Sequence, residues 1–393
     1  MARARAAAPE SALARLVLDR LLPLRRGRSL AVVTWDHALP WARAIALGAF
    51  RRGLVPTVVV HDEGTFFAAL AEVGPGPLRA DRRELLPPAD GVVRLEGPAE
   101  FPRLLGLPRG WIEPLVRPLG PRRARTGPAS RTVRLRIADA TPAAADRYGV
   151  DLERWRSELL RASLVDPRHL TAAGRALGPR GGRPHRIRIR HANGTDLSLA
   201  LAREPPILET GVPPAGGWAE VPSGRWRARV EPGSADGWFE TNRASYDRYA
   251  EYPVALLGRL EFGDGRLRDF EGDRAAQAFH AFARSGKGRV RIRSVLVGLN
   301  PEADRAPETA DLAAGTVTLE VGDPAPRPRD RLPRFALLAS LAGAEVELDG
   351  RPWILGGALP VARPRRPTPV GARRTPRPST GRARGAAGRS ARR

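Results

Sequence analysis

Residues 29–62 read SLAVVTWDHALPWARAIALGAFRRGLVPTVVVHD. SLAVVTW (29–35) is a short apolar run of strand length, rich in β-branched residues. WARAIALGAFRRG (41–53) has helical spacing and closes on two arginines and a glycine, a helix-stop signature. PTVVVHD (56–62) is a second strand run. A strand, a helix and a strand in so short a stretch predict a β-α-β unit, hence a parallel sheet.

The pattern extends outward. TFFAALAEV (65–73) predicts another helix, and GVVRLEG (91–97) and RTVRLRI (131–137) predict further strands. The first third is therefore an α/β body with helices on a parallel sheet. The first strand-to-helix turn, TWDHALP, has no glycine, and G-x-G-x-x-G occurs nowhere, so a dinucleotide site has no support. From 144 to 177 the chain reads as two helices broken at Asp166-Pro167, and GPRGGRP (178–184) is a linker. Beyond it HRIRIRHA, DLSLAL, RWRARVE, VALLGRLEF, RVRIRSVLV, GTVTLEVG and AEVELDG are strands separated by turns rich in Gly, Pro and Asp. We expect an N-terminal parallel-sheet α/β domain over 1–180, a strand-rich mixed α/β domain over 181–360 and a disordered basic tail over 361–393. The tail, rich in Pro, Arg, Gly and Thr, cannot bury enough apolar surface to fold.

The chain has no cysteine, which excludes disulfides, thiolate metal sites and a cysteine nucleophile. The net charge is +24, but eleven of the 66 basic residues lie in 361–393, which contains no acid. All but one of the 66, Lys287, are arginine. A coding sequence rich in G and C gives the same bias, together with much Ala, Gly and Pro. The tail is expected to make weak, salt-sensitive contact with nucleic acid or another polyanion. MARARAAAPESALARLVLDRLLPLRRG (1–27) is broken by Arg15, Asp19 and Arg20 and reads as an amphipathic surface helix, not a secretory signal. The run ALLASLAGA (336–344) is far short of the ~20 residues of a membrane span. A cytoplasmic location with no membrane contact is expected.

Several stretches together resemble the thermophilic metallo-aminopeptidase family (aminopeptidase T and S type, leucyl aminopeptidase-like). NGTDLSLAL (193–201) is similar to that family's G-T-D-L strand, VPSGRWR (221–227) to its P-S/T-G-E-V segment, and GRLEFGDGRLRDFEG (258–272) to its strand–turn–strand. VLVGLNPEAD (295–304) resembles G-x-N-P, GTVTLEVGD (315–323) resembles G-T-x-H-x-A-x-G, and AEVELDGRPWILGG (344–357) resembles the terminal hairpin. ATPAAADRYGVDLERW (140–155) extends the likeness into the first half, so that it spans roughly residues 10–357. The resemblance implies a two-domain, dimer-forming fold with a C-terminal domain of metallo-aminopeptidase type, and a two-metal site that releases N-terminal residues from peptides. Related proteins with that C-terminal fold hold iron and open aromatic rings.

Carried over residue by residue, the implied metal ligands are missing. The glutamate after P-S/T-G is Arg225 here, the glutamate four residues before the glycine of G-x-N-P is Ser294, and the histidine of G-T-x-H is Thr318. The family's H-x-D pair before the last hairpin falls on Arg334 and Ala336. No histidine follows His280, so both family histidines are absent under any alignment. Arginine is always protonated and has no lone pair for a metal. We therefore expect no cofactor and no peptidase activity, with a homodimer or an active paralogue as the implied partner; a divalent metal belongs to the alternative, an active aminopeptidase. Glu320, two residues after Thr318, is expected on the same strand face, where it could pair with Arg225. Asp196 of NGTDL matches a family residue outside the metal set, and its plainer role is pairing at a strand start.

Of the six histidines, only His61 sits in a ligand-rich run, His61-Asp62-Glu63 at a strand end, with His37 at the end of the neighbouring strand. Successive side chains on an extended chain point opposite ways, so a polar strand end is the preferred reading. No G-x-S-x-G elbow exists, and Ser223 has no histidine near it in sequence. Arginines alternate in three strands, at 186, 188 and 190, at 225, 227 and 229, and at 289, 291 and 293. Were these strands neighbours, they would form one cationic sheet face, and Tyr246, Tyr249 and Tyr252 could add stacking. Nucleic-acid binding is the third reading, set against a plain outer strand face or, for the tyrosines, a packed helix.

Overall fold

The computed structural model describes residues 9–78, 88–104, 107, 111, 115, 130–178, 185–242, 246–247, 258–272, 290–304, 309–322 and 336–360. The tail, Arg289, Tyr249, Tyr252, His280 and Arg334 lie outside the described residues.

The opening stretch folds as its pattern requires. β1 (Ser29–Trp35), β2 (Val55–His61), β3 (Gly91–Leu95) and β4 (Arg131–Leu135) pair in parallel in the order β2-β1-β3-β4. The helices are α1 (Pro9–Leu16), α2 (Leu39–Arg51), α3 (Glu63–Val73), α4 (Phe101–Leu104), α5 (Pro142–Tyr148), α6 (Leu152–Ser163) and α7 (Pro167–Leu177). Leu13, Ala14, Val17, Leu18 and Leu21 at the N-terminal helical segment are buried against Ile45, Ala49, Val32 and Val93. That amphipathic segment thus supplies one wall of the first core, a larger role than a surface helix. The expected break at Asp166-Pro167 is real. Asp166 accepts from Arg168 N at 2.8 Å as an N-cap, and Pro167 opens α7, where its missing N–H costs nothing.

The remaining strands are β5 (His185–Arg190), β6 (Asp196–Leu201), β7 (Ile207–Glu209), β8 (Trp218–Val221), β9 (Arg225–Arg229) and β10 (Asp236–Glu240). They continue with β11 (Tyr246–Asp247), β12 (Gly258–Gly263), β13 (Arg266–Gly272) and β14 (Arg291–Gly298). β15 (Val317–Gly322), β16 (Ala336–Leu341), β17 (Glu345–Leu348) and β18 (Arg351–Ile354) complete the set. Two antiparallel sheets result, of order β13-β12-β10-β6-β5-β17-β18 and β11-β16-β15-β14-β9-β7. Their facing residues share one core. Ile187, Ile189, Leu197 and Leu199 come from the first sheet, and Trp226, Val295, Val297, Val317 and Leu319 from the second. Trp226, 1% exposed, meets Trp353 edge to face at 5.2 Å.

The chain thus has the expected α/β class, a parallel-sheet part joined to a strand-rich part. One short strand crosses between them. β8, which follows β7 in the chain, pairs in parallel with β4 as the fifth strand of the first sheet. WAEV is too short to show a pattern of its own, so its sheet is chosen by what it packs against. Among the described residues no helix is long and apolar enough to cross a membrane.

Candidate functional site

β9 starts directly after the turn Pro222-Ser223-Gly224, and that turn is held from both sides. Gly224 N donates to Glu209 O at 3.0 Å and Gly224 O accepts from Leu299 N at 2.8 Å. Asn300 Nδ2 donates to Ser223 O at 2.8 Å and to Ala162 O at 2.9 Å, which ties the turn to α6. Gly224 has φ of 128°, and a Cβ on it would lie 2.9 Å from Asn300 Cβ. At Gly298 a Cβ would meet Ala313 O at 2.0 Å, so only glycine fits where the chain passes. The P-S-G and G-x-N-P stretches are therefore two halves of one packed junction.

The ladder then sets the faces. β9 pairs with β14 so that Arg225 faces Gly298, Arg227 faces Leu296 and Arg229 faces Ser294. β15 adds Thr318 opposite Leu296 and Glu320 opposite Ser294. Because paired residues share a face, Arg225, Ser294, Thr318 and Glu320 all lie on the side of the six-stranded sheet turned away from Trp226 and the sandwich core. Of the positions read from the resemblance, Arg225, Ser294 and Thr318 share this face.

What occupies the site is an ionic cluster. The Arg225 side chain is 5% exposed; its Nε lies 2.5 Å from Asp311 Oδ2 and its Nη1 lies 3.1 Å from Glu209 Oε2. Arg227 Nη2 lies 2.7 Å from Glu320 Oε2, and Arg227 Nε donates to Ser294 Oγ at 3.3 Å. Arg293 Nη1 lies 3.6 Å from Glu320 Oε1. Thr318 Oγ1 and Ser340 Oγ, both buried, share a hydrogen bond of 2.9 Å. The pairing expected between Arg225 and Glu320 is replaced. Glu320 sits in the Ser294–Arg229 row, displaced along the strands from Arg225, so Arg227 reaches it and Arg225 takes Asp311 and Glu209.

These residues do not fit a two-metal site. Two close divalent ions need deprotonated oxygen or nitrogen donors free to coordinate them. Here Glu209, Asp311 and Glu320 each already pair with a guanidinium group of Arg225, Arg227 or Arg293. The one buried carboxylate oxygen left over among them, Asp311 Oδ1, is too few for two ions. The positions of Ser294 and Thr318 offer neutral hydroxyls. Ala336 pairs with Gly322 at the strand end away from Thr318, and its methyl has no donor atom.

Asp196 is elsewhere. It opens β6 in the seven-stranded sheet and accepts a fork from Arg188, Nε at 2.8 Å and Nη2 at 2.7 Å. That hydrogen-bonded guanidinium holds its carboxyl below the usual range, the pairing role at a strand start. The three arginine stripes likewise do not make one face. β5 belongs to the seven-stranded sheet, while β9 and β14 are neighbours in the six-stranded one. Arg188, Arg190 and Arg229 pair with Asp196, Glu347 and Glu204, respectively.

At the carboxyl ends of the parallel strands, His61, Asp62 and Glu63 diverge as expected for successive residues. His61 packs against Trp35 with ring centroids 5.4 Å apart, and Asp62 caps α3 by accepting from Thr65 N at 2.7 Å. That bond to Thr65 lowers the Asp62 carboxyl below its ordinary range. Glu63 turns instead toward Asp36 and His37. Further along the sheet, Arg134 lies between Glu96, Asp139 and Glu220 at 3.2 to 3.7 Å, and Glu96 also pairs with Arg94. Burial pushes the Glu96 carboxyl upward, but Arg94 and Arg134 beside it outweigh that and hold it below the usual range. Asp36, Glu209, Asp311 and Ser340 carried no recognisable motif; each is brought into its cluster by pairing of distant segments.

No family model matches the sequence, and no curated protein matches it. Solved structures do. The 2,5-dihydroxypyridine dioxygenase of Pseudomonas putida KT2440 superposes with a TM-score of 0.57 at 17% identity, covering 90% of this chain and 98% of that one. AmpT from Thermus thermophilus superposes with a TM-score of 0.56 at 14% identity, covering 90% of this chain and 99% of that one. The likeness runs nearly end to end in both, and at these identities it establishes that this chain has an aminopeptidase-like fold.

Proposed function

We propose that this protein is a divergent relative of the aminopeptidase-type proteins that carries no metal at the β9 face and has no peptidase activity. It serves as a scaffold, as the partner subunit of an active relative or of a second copy, or as a binder of a small ligand. The observation that supports this reading is Arg225. Its guanidinium is buried between Asp311 and Glu209, a fixed positive charge where the related enzymes would need a metal-binding carboxylate. A permanent cation satisfies the carboxylates that a divalent ion would otherwise neutralise, and it repels such an ion.

The test is leucyl-p-nitroanilide turnover by the full chain, supplied with Zn²⁺, Co²⁺ or Mn²⁺ and compared with and without chelator. We expect no turnover above the blank in any arm. Turnover that a chelator abolishes, and that Asp311→Asn removes, overturns the reading in favour of a metal-dependent aminopeptidase.

A further inference from the structure

We propose that Asp36, His37 and Glu63 form a binding site for one divalent transition-metal cation of the zinc type. It is separate from the β9 face and does not depend on the reading given for that face. Asp36 and His37 directly follow β1, and Glu63 lies two residues after the end of β2. The two strands are paired in register, Trp35 against His61, so their carboxyl ends deliver the three side chains to one place. One ligand atom from each lies within 4.8 Å of the others. Metal–oxygen and metal–nitrogen bonds of about 2.0–2.2 Å put two ligands of one ion at most about 4.4 Å apart, so small rotations suffice to close the site.

The state of His37 points to a cation. Its Nε2 lies 3.0 Å from Ala138 O. A carbonyl only accepts, so Nε2 carries a proton, and Nδ1 is the ring nitrogen that faces the carboxylates and can ligate a metal. Nδ1 is buried and has no hydrogen-bond partner, and the nearest carboxylate oxygen, Asp36 Oδ1, is 4.0 Å away. That buried nitrogen and the carboxylate oxygens of Asp36 and Glu63 thus face one another across a gap that a metal ion can fill. A histidine that donates one ring N–H to a backbone carbonyl and aims the other nitrogen inward is oriented as metal-binding histidines are.

The carboxylates are oriented too. Asp36 accepts from His37 N at 2.8 Å and from Glu63 N at 3.3 Å. Glu63 accepts from Ala99 N at 3.1 Å and Glu100 N at 2.7 Å. These bonds fix the groups while leaving each oxygen a further lone pair. Among the described residues no arginine pairs with Asp36 or Glu63, whereas each of the β9 carboxylates has an arginine partner. Imidazole and carboxylate without sulfur suit Zn²⁺, and after three protein ligands a fourth position remains for water.

The experiment is a Zn²⁺ titration of the full chain against a chromophoric chelator, repeated for His37→Ala, Asp36→Asn and the control His61→Ala, with circular dichroism to check folding. We expect one equivalent bound by the wild type and by His61→Ala. Affinity should fall at least about tenfold in His37→Ala and in Asp36→Asn. Asp36→Asn keeps an oxygen for the shorter of the two backbone bonds, that from His37 N, so it decides the matter if His37→Ala does not fold. No stoichiometric binding by the wild type, or binding unchanged in both site variants, overturns the proposal. Binding that survives at Asp36 and His37 but is lost in Asp311→Asn would place the ion on the β9 face and overturn the metal-free reading as well.

Discussion

Arg225 Nε and Asp311 Oδ2 lie 2.5 Å apart, joining residues 86 positions apart in the sequence, and both side chains are buried. Removing Asp311 leaves the buried Arg225 with a smaller share of its compensating charge, Glu209 remaining, and breaking a buried pair costs up to about 3–5 kcal/mol. Asp311→Asn should therefore lower unfolding free energy by up to that amount. The double variant Arg225→Met with Asp311→Leu should recover most of the loss, because Glu209 is partly solvated. Urea unfolding of Arg225→Met, Asp311→Leu and the double gives the coupling directly.

Thr318 and Ser340 make a second, neutral test of the same face. Each hydroxyl is buried and bonded to the other at 2.9 Å. Thr318→Val alone leaves Ser340 short of this partner and should cost about 1–3 kcal/mol. With Ser340→Ala added the polar pair is gone, and the combined cost should be smaller than the sum of the singles. Thermal unfolding of the three variants measures this.

Acid should act on the first sheet through Glu96. Its carboxyl is held below the ordinary range in the folded protein, against the upward push of burial, by Arg94 and Arg134. A lowered folded-state value means the stabilisation is full above the unfolded-state value, about 4.3, and is lost as pH falls through the folded one. Unfolding free energy should therefore decline on acidification below about pH 4.3. Glu96→Gln should be less stable at neutral pH and show a flatter decline, read from urea midpoints across that range.

Residues 361–393 carry eleven arginines and no acid. Polyanion affinity should therefore reside largely in this segment and fall steeply with salt. Fluorescence anisotropy with a labelled single-stranded oligonucleotide, across a salt series, should show a shallower slope after truncation at 360. Equal affinity and slope in the truncated chain would place the contact on the folded body.

The class of fold was legible because periodicity is local. SLAVVTW coincides with β1, and most later runs became strands or helices near their patterns. The first of the two helices expected over 144–177 is instead two, α5 and α6, parted at Gly149 with a left-handed φ of 63°. That Arg225 cannot ligate a metal was equally a matter of residue type, since no fold gives arginine a lone pair. Partners were not legible. Arg225 and Glu320 stood on one predicted face, yet the ladder register set Glu320 against Arg227 and delivered Asp311 and Glu209 to Arg225. The three arginine stripes looked alike, but β5 went to one sheet and β9 and β14 to the other.

His61-Asp62-Glu63 was the only histidine run rich in ligands, and its members separated because neighbours on an extended chain point apart. Glu63 met Asp36 and His37 across two parallel strands instead. The sequence by itself determined which elements form and which donor groups positions 225, 294 and 318 can offer, because both depend on residue identity and local spacing. Tertiary structure alone decided which charge meets which, because register and strand order bring together residues that the sequence keeps tens of positions apart.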